Sequence, residues 1–300
     1  MNILVTGSSG FIGVNLVKHL KDHNIKEVSI RFNNKINIIT DEIDIIIHLA
    51  GKAHDLKKTS KPNDYYEANF ELTKFVYNDF INSKAKYFIF ISSIKALTDK
   101  GSIELTEDMT ATPKTHYGIS KRLAEEYIIS QNIPQNKKYF ILRPCMIHGP
   151  HNKGNLNLLY NVITNRVPWP LGSFENRRSF CSIDNLLFII KELIDNNDIA
   201  SGIYNVSDDE PLSTNEVISI IAKSQSRTPI IWKLPQILIK LVAKVGDVIN
   251  FPLDSERLNK LTESYVVNNN KIKNAIGKSL PISAKEGLLK TFQSFKSKIA

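Results

Sequence analysis

Along the first half of the chain, short unbroken apolar runs alternate with longer stretches in which apolar residues recur every three or four positions. The runs are Ile3 to Thr6, Val28 to Arg31, Asp44 to Leu49, Lys86 to Ser92 and Tyr139 to Arg143. Runs of this length, without polar alternation, predict strands buried on both faces. Between them Phe11 to Lys21, Asp64 to Ile81 and His116 to Ser130 carry helical spacing. Strands that alternate with helices predict an α/β fold, a parallel sheet joined by right-handed crossovers.

Beyond Arg143-Pro144-Cys145 the pattern changes. His151 to Phe180, rich in Asn, Pro, Trp and Arg, reads as loops around a ligand. A helix from Asp184 to Ile194 and a short strand from Tyr204 to Val206 follow, and Ser213-Thr214-Asn215-Glu216 has the form of a capping box opening another helix. No internal repeat or low-complexity linker divides the chain. Residues 1–150 are therefore expected to form mainly one domain, and 151–300 mainly a smaller lobe interleaved with it, some C-terminal segments returning to the sheet.

Composition narrows the setting. With 300 residues and 42% hydrophobic content, the chain is long enough to bury a large core. Two cysteines, Cys145 and Cys181, cannot make a disulfide framework and suggest a reducing compartment. No basic and apolar leader precedes the first strand, so no signal peptide is expected. No apolar stretch reaches the roughly 18 residues of a membrane span. The nearest, Leu234 to Ile249, is interrupted by Lys240, Lys244 and Asp247. The expectation is a cytoplasmic protein without membrane insertion. The net charge of +9 owes much to the C-terminus, where Lys271 to Ala300 holds seven lysines and one acid, Glu286. These lysines are not interleaved with stacking aromatics, so they read as a solvated helix face and not as a nucleic-acid surface.

Gly7, Gly10 and Gly13 stand at the turn from the first predicted strand into the first helix. Such a turn must be tight, must let the backbone approach a pyrophosphate, and must let the helix pack on the sheet. The helix N-terminus then offers free N–H donors and a positive dipole end. Position and spacing predict a dinucleotide site. Tyr117 and Lys121, four apart, share one face of their helix. An ammonium beside a phenol, which ordinarily titrates near ~10, favours phenolate and makes the tyrosine a usable acid/base.

With "TGSSGFIG", "IIIHLAG", "FISS", "YGISK", "LRPCMIHGP", "NRRSFCSIDN" and "GIYNVSDDEPLS", the chain resembles the extended short-chain dehydrogenase/reductase family over nearly its whole length, in particular nucleotide-sugar epimerases, dehydratases and 4-ketoreductases. The resemblance implies a Rossmann-type doubly wound parallel sheet with a smaller interleaved α/β substrate lobe. It implies NAD or NADP as cofactor, a nucleotide-sugar substrate and a homodimer. Ser93 aligns with the family's catalytic Ser/Thr, beside Tyr117 and Lys121. The cofactor would be held by Gly7, Gly10, Phe11, Ile12, Gly13, Arg31, Leu49, Ala50, Gly51 and Asn69, with Tyr117 and Lys121. Arg31 stands where an acid often contacts the adenosine ribose; it could meet a 2′-phosphate or stack on the adenine. Ser93, Arg178, Asn155 and Arg257 would contact substrate, with Arg177 an alternative to Arg178. Family dimers use two helices from each copy, and Phe75, Val76, Phe80 and Ile81 suit either that role or the core.

Members that eliminate water carry an Asp-Glu pair after the Ser/Thr, whereas this chain has Ile94-Lys95. A 4,6-dehydratase is disfavoured. A 4-epimerase stands first, with a 4-ketoreductase as the alternative. A dinucleotide sensor has no use for an intact Ser-Tyr-Lys set. No metal-ligand spacing is present; Ser92 reads as a backbone-satisfying hydroxyl, Arg143 as support, and His54, His116, His148 and His151 as site-edge or surface residues.

Overall fold

The computed structural model describes residues 1–31, 42–53, 61–101, 104–152, 154–249 and 253–296. Its strands are β1 (Asn2–Thr6), β2 (Asn24–Val28), β3 (Ile45–His48), β4 (Tyr87–Ile91), β5 (Lys138–Pro144), β6 (Met146–His148), β7 (Phe180–Ser182) and β8 (Gly202–Val206). The helices that matter below are α1 (Phe11–His19), α2 (Pro62–Tyr65), α3 (Leu72–Asn82), α4 (His116–Ser130), α5 (Asn155–Thr164), α6 (Ile183–Asp195), α7 (Thr214–Ser224), α8 (Gln236–Ile249), α9 (Ser255–Thr262), α10 (Asn270–Ile276) and α11 (Ala284–Lys296).

Six strands form one parallel sheet in the order β2-β1-β3-β4-β5-β8. Successive side chains of a strand point to opposite faces, and both faces here are covered. Ile3, Val5, Ile45, Ile47, Ile89 and Ile91 pack with Leu16 of α1 and Leu186 and Ile190 of α6. The intervening Leu4, Ile46, Phe88 and Phe90 pack with Leu72, Val76 and Phe80 of α3 and Ala124 and Ile128 of α4. Two-sided burial is the reason the central strands read as unbroken apolar runs.

The edge strand departs from that pattern. β2 pairs only with β1, and its Asn24, Lys26 and Glu27 are exposed. A strand with so little apolar character is invisible to a search for apolar runs, so the predicted Val28–Arg31 lies four residues too late and Arg31 falls beyond the strand. The helix expected over 64–81 is also interrupted. α2 and α3 are joined by a π-helical stretch, Tyr66–Glu71, whose wider turn carries the buried Asn69. Such turns recur at functional sites.

The second half contributes to both layers. β8 closes the far edge of the sheet, and Ile272 and Ile276 of α10 join the α1–α6 face. β6 and β7 pair in parallel as a separate small sheet. Part of the segment expected to be loop is helix α5; its Leu156 and Tyr160 pack with Phe292 and Phe295 of α11. Among the C-terminal lysines, Lys273, Lys278, Lys285 and Lys290 pair with Asp209, Glu192, Glu216 and Asp184.

Val76 and Phe80 are fully buried in the core, whereas Phe75 and Ile81 pack only partly buried on the same cluster and keep exposed surface. Phe88 sits at the centre of that cluster, 4.9 Å from the Tyr77 ring and 5.4 Å from Phe80. Phe88→Ala removes this ring and leaves a cavity, and is expected to cost about 3–5 kcal/mol in urea unfolding.

Candidate active site

The chain leaves β1 for β2 on one side and returns to β3 on the other. The strand order therefore reverses beside β1, and a crevice opens at the C-terminal ends of β1 and β3. Gly7 follows β1 there with φ +71°, a left-handed conformation that side chains disfavour. A Cβ on Gly7 would stand 2.6 Å from the backbone nitrogen of Ala50, and one on Gly13 would stand 2.5 Å from the Gly7 carbonyl oxygen and from Ser8. Both obstacles are backbone, which cannot swing away. Gly10 accordingly begins α1 without a side-chain cap, its N–H donating to the Gly7 carbonyl at 3.1 Å. Phe11 and Ile12, in the first turn, pack partly buried on the core. The first-turn N–H groups of a helix have no partner within it, so α1 directs donors at the crevice.

Across the crevice, Leu49, Ala50 and Gly51 continue from β3. Gly51 must lack a side chain because a Cβ would stand 2.7 Å from Asn69 Oδ1 and 3.3 Å from Lys121 Nζ. Asn69 is fully buried. Its Oδ1 accepts from the Lys52 N–H at 2.8 Å, and its Nδ2 donates to Lys52 O and to Ser120 Oγ, both at 3.0 Å. It thereby ties the end of β3 to α4. The backbone held open at Gly7, Gly13 and Gly51 fits a dinucleotide lying across the switch point.

A polar chain that sequence reasoning missed fixes this geometry from beneath. Thr73 Oγ1 donates to the Asn69 carbonyl at 2.7 Å, so it accepts from His48 Nε2 at 3.0 Å. His48 Nδ1 is then the acceptor of the Thr6 hydroxyl at 2.7 Å, and Thr6 Oγ1 accepts the Ala50 N–H at 3.3 Å. Every proton has one direction, and the imidazole is neutral. Burial, with a smaller push from the Lys121 charge, lowers the His48 pKa to about 3. The signal was a lone histidine within an apolar strand, visible in "IIIHLAG" but without spacing to explain it.

Ser93 follows β4, and its Oγ accepts from the Lys95 N–H at 3.2 Å. α4 begins where Asp99 accepts from the N–H groups of Lys114 and Thr115 and from the Thr115 hydroxyl, and Thr115 Oγ1 in turn caps Gly118. This start sets Tyr117, half-buried, so that its hydroxyl is hydrogen-bonded to Ser93. Burial raises the phenol's pKa; the Ser93 bond opposes it and the Glu125 charge adds to it. One turn on, Lys121 is buried, donates to the Ile91 carbonyl at 2.8 Å and lies 4.7 Å from the Phe90 ring centre. Desolvation lowers its pKa from 10.5 to about 8, against the opposing attraction of Glu125. The predicted Ser93, Tyr117 and Lys121 therefore meet in one place.

Glu125, one turn beyond Lys121, has no exposure and makes a two-pronged ion pair with the equally buried Arg143 at 2.9 and 2.6 Å. Ser92 Oγ donates to the same carboxylate at 2.5 Å. Ser92 thus satisfies a buried charge instead of backbone. Arg143 supports the site through α4.

On the substrate side the residues are less gathered. Arg178 is half-buried, donates to the Lys260 carbonyl at 2.5 Å and lies near enough to Lys95 for the two charges to interact. Arg177 points outward to Glu216 at 3.2 Å, which separates the two arginines left interchangeable by sequence. A surface hollow of about 450 Å³ on that outer side, lined in part by Arg177 and Glu216, includes none of Ser93, Tyr117 and Lys121. Arg257 is exposed on α9 and pairs with Asp254 at 3.5 Å. Asn155 opens α5, but its side chain lies outside the described residues, as does His54. Arg31 is exposed. His116 meets the Tyr66 hydroxyl at 3.2 Å and His151 is exposed. His148 is instead fully buried between Thr291, at 3.0 Å, and Asp208, at 3.4 Å, a core residue and not a site-edge one.

A switch-point glycine loop facing a Ser-Tyr-Lys cluster defines an α/β dinucleotide enzyme of the short-chain dehydrogenase/reductase class. The chain belongs to the NAD dependent epimerase/dehydratase family, whose model matches residues 3–207. It is 32% identical to a UDP-glucose 4-epimerase of Vibrio cholerae over 98% of this chain and 95% of that protein. It is 25% identical to an N-acetyl-alpha-D-glucosaminyl-diphospho-ditrans,octacis-undecaprenol 4-epimerase of Escherichia coli O157:H7, over 97% and 94% of the two chains. Among solved structures, MoeE5 in complex with UDP-glucuronic acid and NAD superposes with a TM-score of 0.77 at 17% identity, covering 99% of this chain and 100% of that one, which establishes the likeness of fold.

Two outcomes follow from the geometry. Glu125→Gln leaves a buried guanidinium without its counter-charge and should destabilise the protein by about 3–5 kcal/mol in urea unfolding, with Arg143→Leu in the same background restoring part of the loss. Because the folded pKa of Lys121 lies below its unfolded value, the unfolded chain binds more protons between about pH 8 and 10 and stability should rise with pH there. Lys121→Met should flatten that rise, leaving the share that half-buried Lys95 and buried Lys137 contribute in the same direction.

Proposed function

We propose that the protein modifies a nucleotide-linked hexose, a UDP-hexose or UDP-N-acetylhexosamine, by hydride transfer at carbon 4, acting as a 4-epimerase in the synthesis of cell-surface polysaccharide precursors. The observation that carries this reading is the Ser93–Tyr117 hydrogen bond, placed beside buried Lys121 and the bare backbone of Gly51. Residues 1–150 hold NAD or NADP, with Gly7, Gly10, Phe11, Ile12 and Gly13 at the pyrophosphate and Leu49, Ala50, Gly51 and Asn69 along the crevice. Residues 151–300 hold mainly the substrate, although β8 and α6 return to the sheet. When bound, the nicotinamide supplies and accepts the hydride.

The chain's own part is proton and charge control. Tyr117 takes the proton from the sugar's 4-hydroxyl and returns it, while Ser93 hydrogen-bonds the same oxygen. The Lys121 ammonium favours the phenolate that burial otherwise opposes. Arg178, with Asn155 and Arg257, meets the diphosphate, for which a planar guanidinium suits two-pronged contact. After Ser93 come Ile94, which is buried, and half-buried Lys95, whose Nζ donates to Asp99 O at 2.7 Å and lies 4.5 Å from the Tyr265 ring centre. Neither can act as the carboxylate pair that eliminates water, which supports an enzyme other than a 4,6-dehydratase. Buried thiols at Cys145 and Cys181 suit the cytoplasm. A homodimer is part of the same reading and has to use surface other than the buried Val76 and Phe80.

Arg31, exposed just past β2 where a ribose-binding acid often stands, favours the second reading, an NAD(P)H-dependent 4-reductase of a UDP-4-keto-6-deoxy-hexosamine. The test is to purify the protein without added cofactor, denature it and identify any released dinucleotide, then to incubate fresh protein with UDP-glucose and UDP-GlcNAc. Retained NAD and interconversion of 4-epimers without net change in nicotinamide absorbance is the expected result. An empty site, no epimerisation and oxidation of NAD(P)H only with a 4-keto sugar establishes the reductase. In either case Tyr117→Phe should lower kcat by about 10²–10⁴ while leaving dinucleotide binding in place.

A further inference from the structure

α8 has two apolar faces, and the body of the protein covers one. Ile239, Ala243 and Gly246 are its buried residues, the first two packed in a cluster with Trp169, Leu171, Phe174 and Leu258. Ile237, Leu238, Leu241, Val242, Val245, Val248 and Ile249 are exposed, Ile237 by 76% and Val248 by 85%. At 3.6 residues per turn these seven side chains occupy one outward arc of about 140°, with Lys240 and Lys244 along one margin. The segment leading into α8 follows the same division. Ile231 packs inward, whereas Ile230 and Trp232, 50% and 52% exposed, and Lys233 face solvent.

Scattered exposed aliphatic residues need no explanation, but a contiguous apolar face on a charged protein does. Its chemistry distinguishes between occupants. The helix carries two exposed lysines, and its one acid, Asp247, accepts from the N–H and hydroxyl of Ser255 at 2.8 and 2.6 Å. A second copy docked antiparallel on the same face would bring the two lysine margins together. An anionic lipid surface takes both features at once, aliphatic side chains and the Trp232 ring below the headgroups and ammonium groups among them. Fourteen residues give a helix of only about 21 Å, shorter than the roughly 30 Å hydrocarbon layer, so α8 can lie in the interface without crossing it. None of the described helices is long and apolar enough to span a membrane.

We propose that α8, with Trp232 and Lys233, is a membrane-attachment surface that docks the enzyme on an anionic lipid bilayer. α8 packs against α9, so docking brings the lobe that carries Arg257 to the lipid surface. The attachment does not depend on which C4 reaction the site performs. The sequence reading set membrane insertion aside because the charges at Lys240, Lys244 and Asp247 break the run; in three dimensions those charges lie on one flank and leave the outward arc uninterrupted.

The full chain is tested by flotation with vesicles of phosphatidylcholine, with and without phosphatidylglycerol. The expected result is flotation with the anionic vesicles, weakened by salt, and a shift of Trp232 emission to shorter wavelength that Trp232→Phe removes, leaving buried Trp169 unchanged. The combined Leu241→Glu, Val245→Glu and Val248→Glu variant should lower the bound fraction roughly tenfold or more without lowering the unfolding midpoint, since all three side chains already face solvent. Lys240→Glu with Lys244→Glu should abolish only the preference for anionic lipid. The proposal is overturned by absence of flotation with either vesicle, or by flotation that the triple variant leaves unchanged. It is equally overturned if the wild type is a dimer in sedimentation velocity that the triple variant separates, which makes the face a surface for a second copy.

Discussion

The approach of the Gly7 turn to the backbone of Ala50 is the constraint on which the rest of the site depends. A Cβ on Gly7 would meet the backbone of Leu49 and Ala50, so this turn can pass the end of β3 only as glycine. The crevice at the switch point takes its width from this contact. The directed hydrogen bonds from Ala50 through Thr6, His48 and Thr73 to Asn69 then extend the same registration to the π-helical turn. Asn69 carries it to Ser120 and thus to α4, the helix of Tyr117 and Lys121. The glycine turn and the Ser93–Tyr117–Lys121 cluster, far apart in sequence, are in this way set by one continuous framework of buried polar contacts. A partly satisfied version of that framework would cost more than an apolar core.

The second requirement is electrical. Lys121 is buried in a place that disfavours its charge, and the buried carboxylate that acts on it, Glu125, is already engaged by Arg143 and Ser92. Glu125 therefore steadies the ammonium from one turn away without neutralising it by direct contact. Moved closer, the same carboxylate would hold the lysine charged more firmly but would also push the Tyr117 phenol further up, as it already does in part. The spacing of Tyr117, Lys121 and Glu125 at successive turns of α4 reconciles a supported cation with a titratable phenol.

Charge elsewhere is distributed by partner. Four of the seven C-terminal lysines pair with acids on α6, α7 and the loop after β8, so the basic tail is less available than composition suggests. Lys240 and Lys244 differ because they flank an exposed apolar face, on a margin where the one acid of α8, Asp247, is hydrogen-bonded to Ser255. The surface most suited to an anionic partner is consequently not the one with the most lysines.

The sequence alone determined the elements whose residues are constrained by their immediate neighbours. The central strands are legible because each is buried on both faces, α4 because Thr115 caps it and its spacing is unbroken, and the glycine turn because only glycine tolerates that backbone. Tyr117 and Lys121 were legible as a pair because four residues place them on one helix face, whereas Ser93 was legible only through the family resemblance. Tertiary structure decided what depends on residues distant in the chain. β2 exists because β1 offers it an edge, although its own residues are polar. His48 is a relay residue only because Thr6 and Thr73 arrive on either side. Arg177 and Arg178, identical in composition, part company only when one meets Glu216 and the other the Lys260 carbonyl. The charges that interrupt α8 in one dimension move to one side of it in three, because a helix sorts its residues by angle and not by order.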